Sequence, residues 1–224
     1  MSPVLYLYAM VDGEPSGPLG EGIAGEPLCL VRFGDLWAVL GNPAAPPRPD
    51  RETLQAQDAV ARRLADLFPA LLPARFGEQA PDEATFTARL VPRAGEIAAA
   101  LELVRGCVQM TLRVFGDPEP VPAVEPEGGP GARYLAARLR EAARSRSLPE
   151  IEPLREVLRP FLRAEKVRRH DAGRLLGTAY HLVPRPRTGA YLAALEHAEG
   201  RLAGRRIAAT GPWPPYAFAP EAVP

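Results

Sequence analysis

Apolar positions along the chain alternate between short strand-like runs and stretches with helical spacing. Val4–Val11 (VLYLYAMV) is a continuous apolar run whose Tyr6 and Tyr8 share one face of an extended chain. A Gly/Pro-rich loop over Asp12–Pro27 comes next, and then Leu28–Phe33 and Leu36–Leu40 flank Gly34-Asp35, the pattern of a tight β-hairpin. Gly41–Pro49 is a proline-rich surface loop. From Arg51 to Phe68 the positions Leu54, Val60, Ala61, Leu64 and Leu67 predict a helix, with Asp50 as its N-cap. In Leu71–Glu78 (LLPARFGE), Pro73 predicts an edge or irregular strand and Gly77 a turn. Acidic Asp82 and Glu83 suit the start of a second helix. Its buried stripe is Phe86, Leu90, Ile97, Leu101 and Val104, kinked or split at Pro92 and ended by Gly106. Cys107–Phe115 alternates, with Gln109, Thr111 and Arg113 on one face, and reads as a half-exposed closing strand.

Gly116–Gly131 is rich in proline and glycine and reads as a linker. The second half predicts a helix over Arg133–Arg146 and a helical element with Leu154, Val157, Leu158, Phe161 and Leu162, interrupted at Pro160. A hairpin of Lys166–His170 and Arg174–Val183 turns across Ala172-Gly173. A helix over Thr188–Leu202 directs Tyr191, Leu192, Leu195 and Leu202 inward, and Arg206–Thr210 is a final strand equivalent to Cys107–Phe115. The expectation is an α+β protein with antiparallel sheets covered by helices, in two domains related to the ferredoxin-like arrangement. They span 1–115 and 132–224, joined by 116–131, and the second carries the closing segment GPWPPYAF (Gly211–Phe218). In that segment Pro212, Pro214 and Pro215 end the strand and hold Trp213 on a stiff, extended path. Trp213, Tyr216 and Phe218 then serve either as a plug over the core or as a docking surface for another chain.

Composition narrows the function classes. The chain has 224 residues, 46% hydrophobic and 24% charged, which is ordinary for a globular protein. It has no apolar run long enough to span a membrane and no export signal, so a cytoplasmic location is expected. Cys29 and Cys107 lie within apolar runs and read as buried free thiols. The formal net charge of zero hides an asymmetry. Residues 1–131 carry 10 Arg against 18 Asp/Glu, and residues 132–224 carry 17 Lys/Arg against 9 Asp/Glu, giving halves of −8 and +8.

Candidate chemistry is sparse. His170, His181 and His197 have no metal-ligand or paired spacing, and neither cysteine has a CxxC partner. The sequence has no GxSxG or P-loop, and no catalytic, metal or cofactor site is assigned. His181 reads as a satisfied core or edge histidine. Glu78, Asp82 and Glu83 are explained by a loop followed by an acidic helix start. Arg75 beside Phe76-Gly77 is the most suggestive position. It supplies either an anion site, from the guanidinium and free backbone N–H groups, or a buried pairing with Glu78 or a carbonyl. Neither Cys107–Phe115 nor Arg206–Thr210 carries the stacked aromatics of an RNA-recognition strand, which argues against a nucleic-acid partner.

YLYAMV, LLPARFGE, TAYHLV and TGPWPPYAF occur in the order seen in the gas vesicle protein F/L family, which the chain resembles from Tyr6 to Phe218. LPxRFG followed about 130 residues later by TGPWPPY is the specific combination. The chain departs from the family pattern at Ala9 (commonly glycine), Gln57 (often histidine), Glu78 (usually threonine) and Ala217 (commonly serine). The resemblance implies a non-enzymatic accessory protein of gas vesicles, the protein-shelled organelles that give cells buoyancy. Its implied partners are the small hydrophobic shell subunit and other vesicle proteins. It marks Arg75, Phe76, Gly77, Gly211, Trp213 and Tyr216 as motif positions and candidate contacts. The competing expectation is a two-domain small-ligand sensor or enzyme with an anion site near Arg75.

Overall fold

A computed structural model describes residues 4–117, 147–170, 173–199 and 205–220, with isolated positions between 129 and 138. The chain divides into two compact units, Met1–Val108 with Trp213–Pro224, and Gln109–Pro212. This division falls at different residues from the one expected at 1–115 and 132–224, and it gives the end of the closing segment to the first unit. Apart from a few positions, the linker over 116–131 and the helix expected over 133–146 lie outside the described residues, as does Ala172.

The first unit is built on β1 (Leu5–Val11), whose continuous apolar run follows from burial on both faces. Strands β2 (Cys29–Phe33) and β3 (Leu36–Gly41) form the expected hairpin, with Phe33 opposite Leu36 and Gly34 at φ +57° in the turn. Helix α1 (Arg51–Leu67) starts at Asp50, whose carboxylate accepts the Thr53 N–H at 2.8 Å. Strands β4 (Leu71–Pro73) and β5 (Gln79–Ala80) both pair with β1, completing an antiparallel sheet of order β2-β3-β1-β4 with β5 beside β1. Asp82 caps α2 (Glu83–Leu90), and Pro92 interrupts the helical path with a 3-10 turn (Val91–Arg93) before α3 (Ala94–Val104). The predicted stripe of Phe86, Leu90, Ile97, Leu101 and Val104 is buried throughout.

The second unit carries α4 (Glu152–Leu158), β7 (Ala164–Arg169), β8 (Leu175–Pro184) and α5 (Thr188–Glu199), together with all but the ends of β6 (Cys107–Phe115) and β9 (Arg206–Trp213). Its four strands follow the order β7-β8-β6-β9, and β7 pairs antiparallel with β8 from Ala164 opposite Leu182 to Arg169 opposite Gly177. Leu154 and Leu158 of α4 and Tyr191 and Leu195 of α5 are buried, and the two helices pack on each other.

Several expectations are corrected. Cys107–Phe115 does not close the first sheet: β6 lies inside the second sheet, next to β9. Nor is it half exposed. Gln109 and Thr111 are buried and satisfy each other, Nε2 donating to Oγ1 at 3.1 Å, which removes the penalty that alternation had suggested. The final strand runs through Gly211 and Pro212 to Trp213, at a sheet edge where a missing N–H costs little. Tyr216–Phe218 is a 3-10 turn, not an extended rail. Leu54 and Leu192, expected inward, are 47% and 42% exposed, and Cys29 is exposed on edge strand β2.

Candidate functional site

The motif positions of the first unit are organised by two tyrosines on β1. A register shift between Leu7 and Ala9 leaves Tyr8 without an opposite residue on β3, and the rings of Tyr6 and Tyr8 lie 5.1 Å apart at 59°. Tyr8 donates to the Glu26 carboxylate and accepts the Ile23 N–H at 2.9 Å, which pins the Asp12–Pro27 loop to the sheet. A Cβ at Gly41 would stand 2.9 Å from the Tyr8 ring and 2.8 Å from a Glu26 oxygen, so a side chain there would have to displace the Tyr8–Glu26 pair. Tyr6 donates to Gln57 Oε1 on α1 and accepts the Gly77 N–H at 2.9 Å, while Gln57 Nε2 donates to the Ala74 carbonyl at 3.2 Å. Phe76 meets the Tyr6 ring edge-on at 6.2 Å. Burial raises the Tyr6 hydroxyl above its ordinary range, with the Gly77 N–H partly opposing. The hydroxyl stays protonated and bridges α1 to the PARFG turn, where Gly77 takes φ +89°.

Next along α1, Asp58 and, one turn on, Arg62 hold the closing segment. Arg62 donates from Nε to Asp58 at 2.7 Å, and its guanidinium lies over the Trp213 ring, 4.1 Å from the centroid. Tyr216 donates to the other Asp58 oxygen at 3.3 Å. Burial, then the charge of Asp58, push the Tyr216 hydroxyl well above its usual range. Pro214, Pro215 and Phe218 are buried, and Trp213 and Tyr216 are half-buried. Helix α1 therefore receives both motif stretches, Phe76-Gly77 through Gln57 and Trp213 with Tyr216 through Asp58 and Arg62. Gly211 takes no part in this clamp; it is exposed, at φ +128°. Sequence reading noted Gln57 only as a departure from the family pattern and missed Asp58 and Arg62, for which the Asp58–Arg62 spacing of four was the available signal.

Arg75 is neither buried nor ion-paired. It is exposed, and among the described residues it makes no side-chain hydrogen bond. Beside it, Glu78 is half-buried; burial raises its carboxyl, and the charges of Arg75 and Arg93 offset this only in part. Glu78 lines a cavity of about 190 Å³ with Leu7, Met10, Phe86, Leu90, Ile97, Arg89 and Arg93. Arg75 is not among the residues lining it.

In the second unit, His181 is buried, with Nδ1 2.8 Å from the Tyr191 hydroxyl and Nε2 3.1 Å from Glu165, which also accepts from Arg155 at 3.0 Å. Burial pushes the Glu165 carboxyl up, but the His181 hydrogen bond and the charges of His181 and Arg155 outweigh it and hold it below the usual range. His181 is thus the satisfied core histidine the sequence suggested. Among the described residues no group of three or more His, Cys, Asp or Glu is placed to hold a metal ion, and no helix is long and apolar enough to cross a membrane.

The sequence model of the family described as gas vesicle synthesis protein GvpL/GvpF matches residues 4–220. Gas vesicle protein L of Streptomyces sp. (strain CB03234) is 31% identical over 249 residues, spanning 96% of this chain and 92% of the relative. The crystal structure of gas vesicle protein GvpF from Anabaena sp. PCC7120 superposes with a TM-score of 0.74 at 17% identity, covering 99% of this chain and 98% of that one. That of GvpF from Microcystis aeruginosa gives 0.73 at 18% identity, with 97% and 99% covered. At these identities the structural likeness shows a shared fold.

Proposed function

Because the chain belongs to the GvpL/GvpF family of gas vesicle synthesis proteins, we propose that it is a non-enzymatic accessory protein that binds the small hydrophobic shell subunit and fellow accessory proteins during vesicle assembly. An accessory role in gas vesicle biogenesis is common to the family. The observation that carries the reading is the extent of the match, which runs from residue 4 to residue 220 and takes in both units and the closing segment. The protein acts in the cytoplasm, in association with the vesicle, and contributes to buoyancy through it.

The structure adds two supports. Counted over its compact units, the charge asymmetry persists: the first has 9 Arg against 15 Asp/Glu and the second 18 Lys/Arg against 12, or −6 and +6. Such opposed fields orient partners during encounter. Among its described residues the second unit also supports the ferredoxin-like reading, since β6, α4, β7, β8, α5 and β9 follow in β-α-β-β-α-β order with strand order β9-β6-β8-β7. The first unit opens with three strands before any helix and does not follow that sequence. Co-expression with an affinity-tagged shell subunit tests the proposal. Retention of the chain on the tagged subunit is the expected result, and its absence from the eluate with every vesicle protein tried as bait would refute the binding role.

A further inference from the structure

The cavity beside Glu78 shares Gly77 with the PARFG turn, but none of Gln57, Asp58, Arg62, Trp213 or Tyr216 lines it. Its floor is apolar, made by Leu7 and Met10 of β1, Phe86 and Leu90 of α2, and Ile97 of α3. Charges of both signs stand on its wall. Glu78 is half-buried, and among the described residues no side chain donates a hydrogen bond to it. Arg89 and Arg93 bring two guanidiniums from α2 and the 3-10 turn. Arg89 is fixed by Nη1 donating to the Gln79 carbonyl at 3.0 Å, and Arg93 by Nε donating to Glu96 at 2.9 Å. Arg89 keeps donors suited to a carboxylate, and Arg93 adds positive charge to the same wall.

We propose that this cavity binds a free apolar α-amino acid, its ammonium against Glu78, its carboxylate against Arg89 and Arg93, and its side chain on the apolar floor. Size and charge select that class. A volume of about 190 Å³ is below the roughly 300 Å³ at which drug-sized ligand sites begin, which suits one small molecule. A fatty carboxylate would bring its charge against Glu78, and an alkyl amine would bring its charge against two guanidiniums. A neutral hydrocarbon would desolvate charges of both signs without pairing them. A zwitterion with an apolar side chain meets all three charged groups and the floor at once. Burial already raises the Glu78 carboxyl, a cost that an ammonium partner would reverse. The inference is independent of the assembly role, and neither falls with the other.

Calorimetric titration of the full chain tests it, using L-leucine, L-isoleucine and L-phenylalanine against three truncated probes. Leucinamide lacks the carboxylate, 4-methylpentanoate lacks the ammonium, and glycine lacks the side chain. Saturable binding of at least one of the three amino acids is expected, weakened about tenfold or more in each truncated probe, the scale of one lost charge-assisted contact. Glu78→Gln should weaken leucine by a similar factor while improving 4-methylpentanoate, because the like charge is gone. Arg89→Gln, at an exposed position, should weaken leucine and leave leucinamide unchanged. No saturable heat with any amino acid up to its solubility limit would overturn the proposal. So would leucine binding that both substitutions leave intact, or a cavity occupied only by a peptide of a vesicle protein.

Discussion

Tyr6 shows how a single hydroxyl can link two parts of a fold distant in sequence. It donates to buried Gln57 and accepts from Gly77 in the exposed turn, so Tyr6→Phe leaves one buried acceptor without its partner. The expected loss is about 1–3 kcal/mol, the cost of an orphaned buried group, read as a lower midpoint in urea with an unchanged slope. A loss below about 0.5 kcal/mol would mean the bridge carries little of the turn's stability. Glu165 gives a residue-scale pH dependence. Its carboxyl is held below the ordinary value of 4.5 in the folded state, so between that value and the depressed one the unfolded chain binds more protons than the folded chain. Stability from this group is therefore complete above about pH 4.5 and falls as the pH drops through the folded value. Glu165→Gln should flatten the acid limb of a stability–pH profile, and a profile identical to wild type would show that Arg155 and His181 do not hold the charge.

The relation between α1 and the closing segment belongs to the element scale. Arg62 over Trp213 and Asp58 against Tyr216 tie residues more than 150 positions apart. Arg62→Ala and Trp213→Ala should each destabilise, the tryptophan change by about 3 kcal/mol as a half-buried aromatic. Combined, they should show a coupling of about 0.5–1 kcal/mol in a double-mutant cycle. Strict additivity would mean the stacked geometry contributes nothing. This contact also marks where the sequence stopped being readable. Helix α1, the Gly34 hairpin and the split at Pro92 were legible because N-caps, φ-positive glycines and proline act on their immediate neighbours. The partner of β6 was not legible, since an apolar strand with Gln109 and Thr111 on one face has no mark distinguishing a covered edge from a solvated one. Trp213 and Tyr216 stood out through their aromatic density among prolines. Asp58 and Arg62 did not, because on a helix they look like ordinary polar residues until a distant segment arrives.

At the scale of the whole molecule, the family match and the charge separation make the account one of assembly. Units of −6 and +6 should steer encounters with charged vesicle proteins. Association rates should then fall as salt shortens the reach of each field from about 10 Å at 0.1 M to about 3 Å at 1 M. Whether vesicle assembly needs this chain is decided by expressing the vesicle gene set with and without it and measuring pressure-collapsible light scattering. The account predicts that scattering is lost or sharply reduced without the chain and restored when it is supplied in trans. Full collapsible scattering in its absence, with vesicles of ordinary size and number, would contradict it.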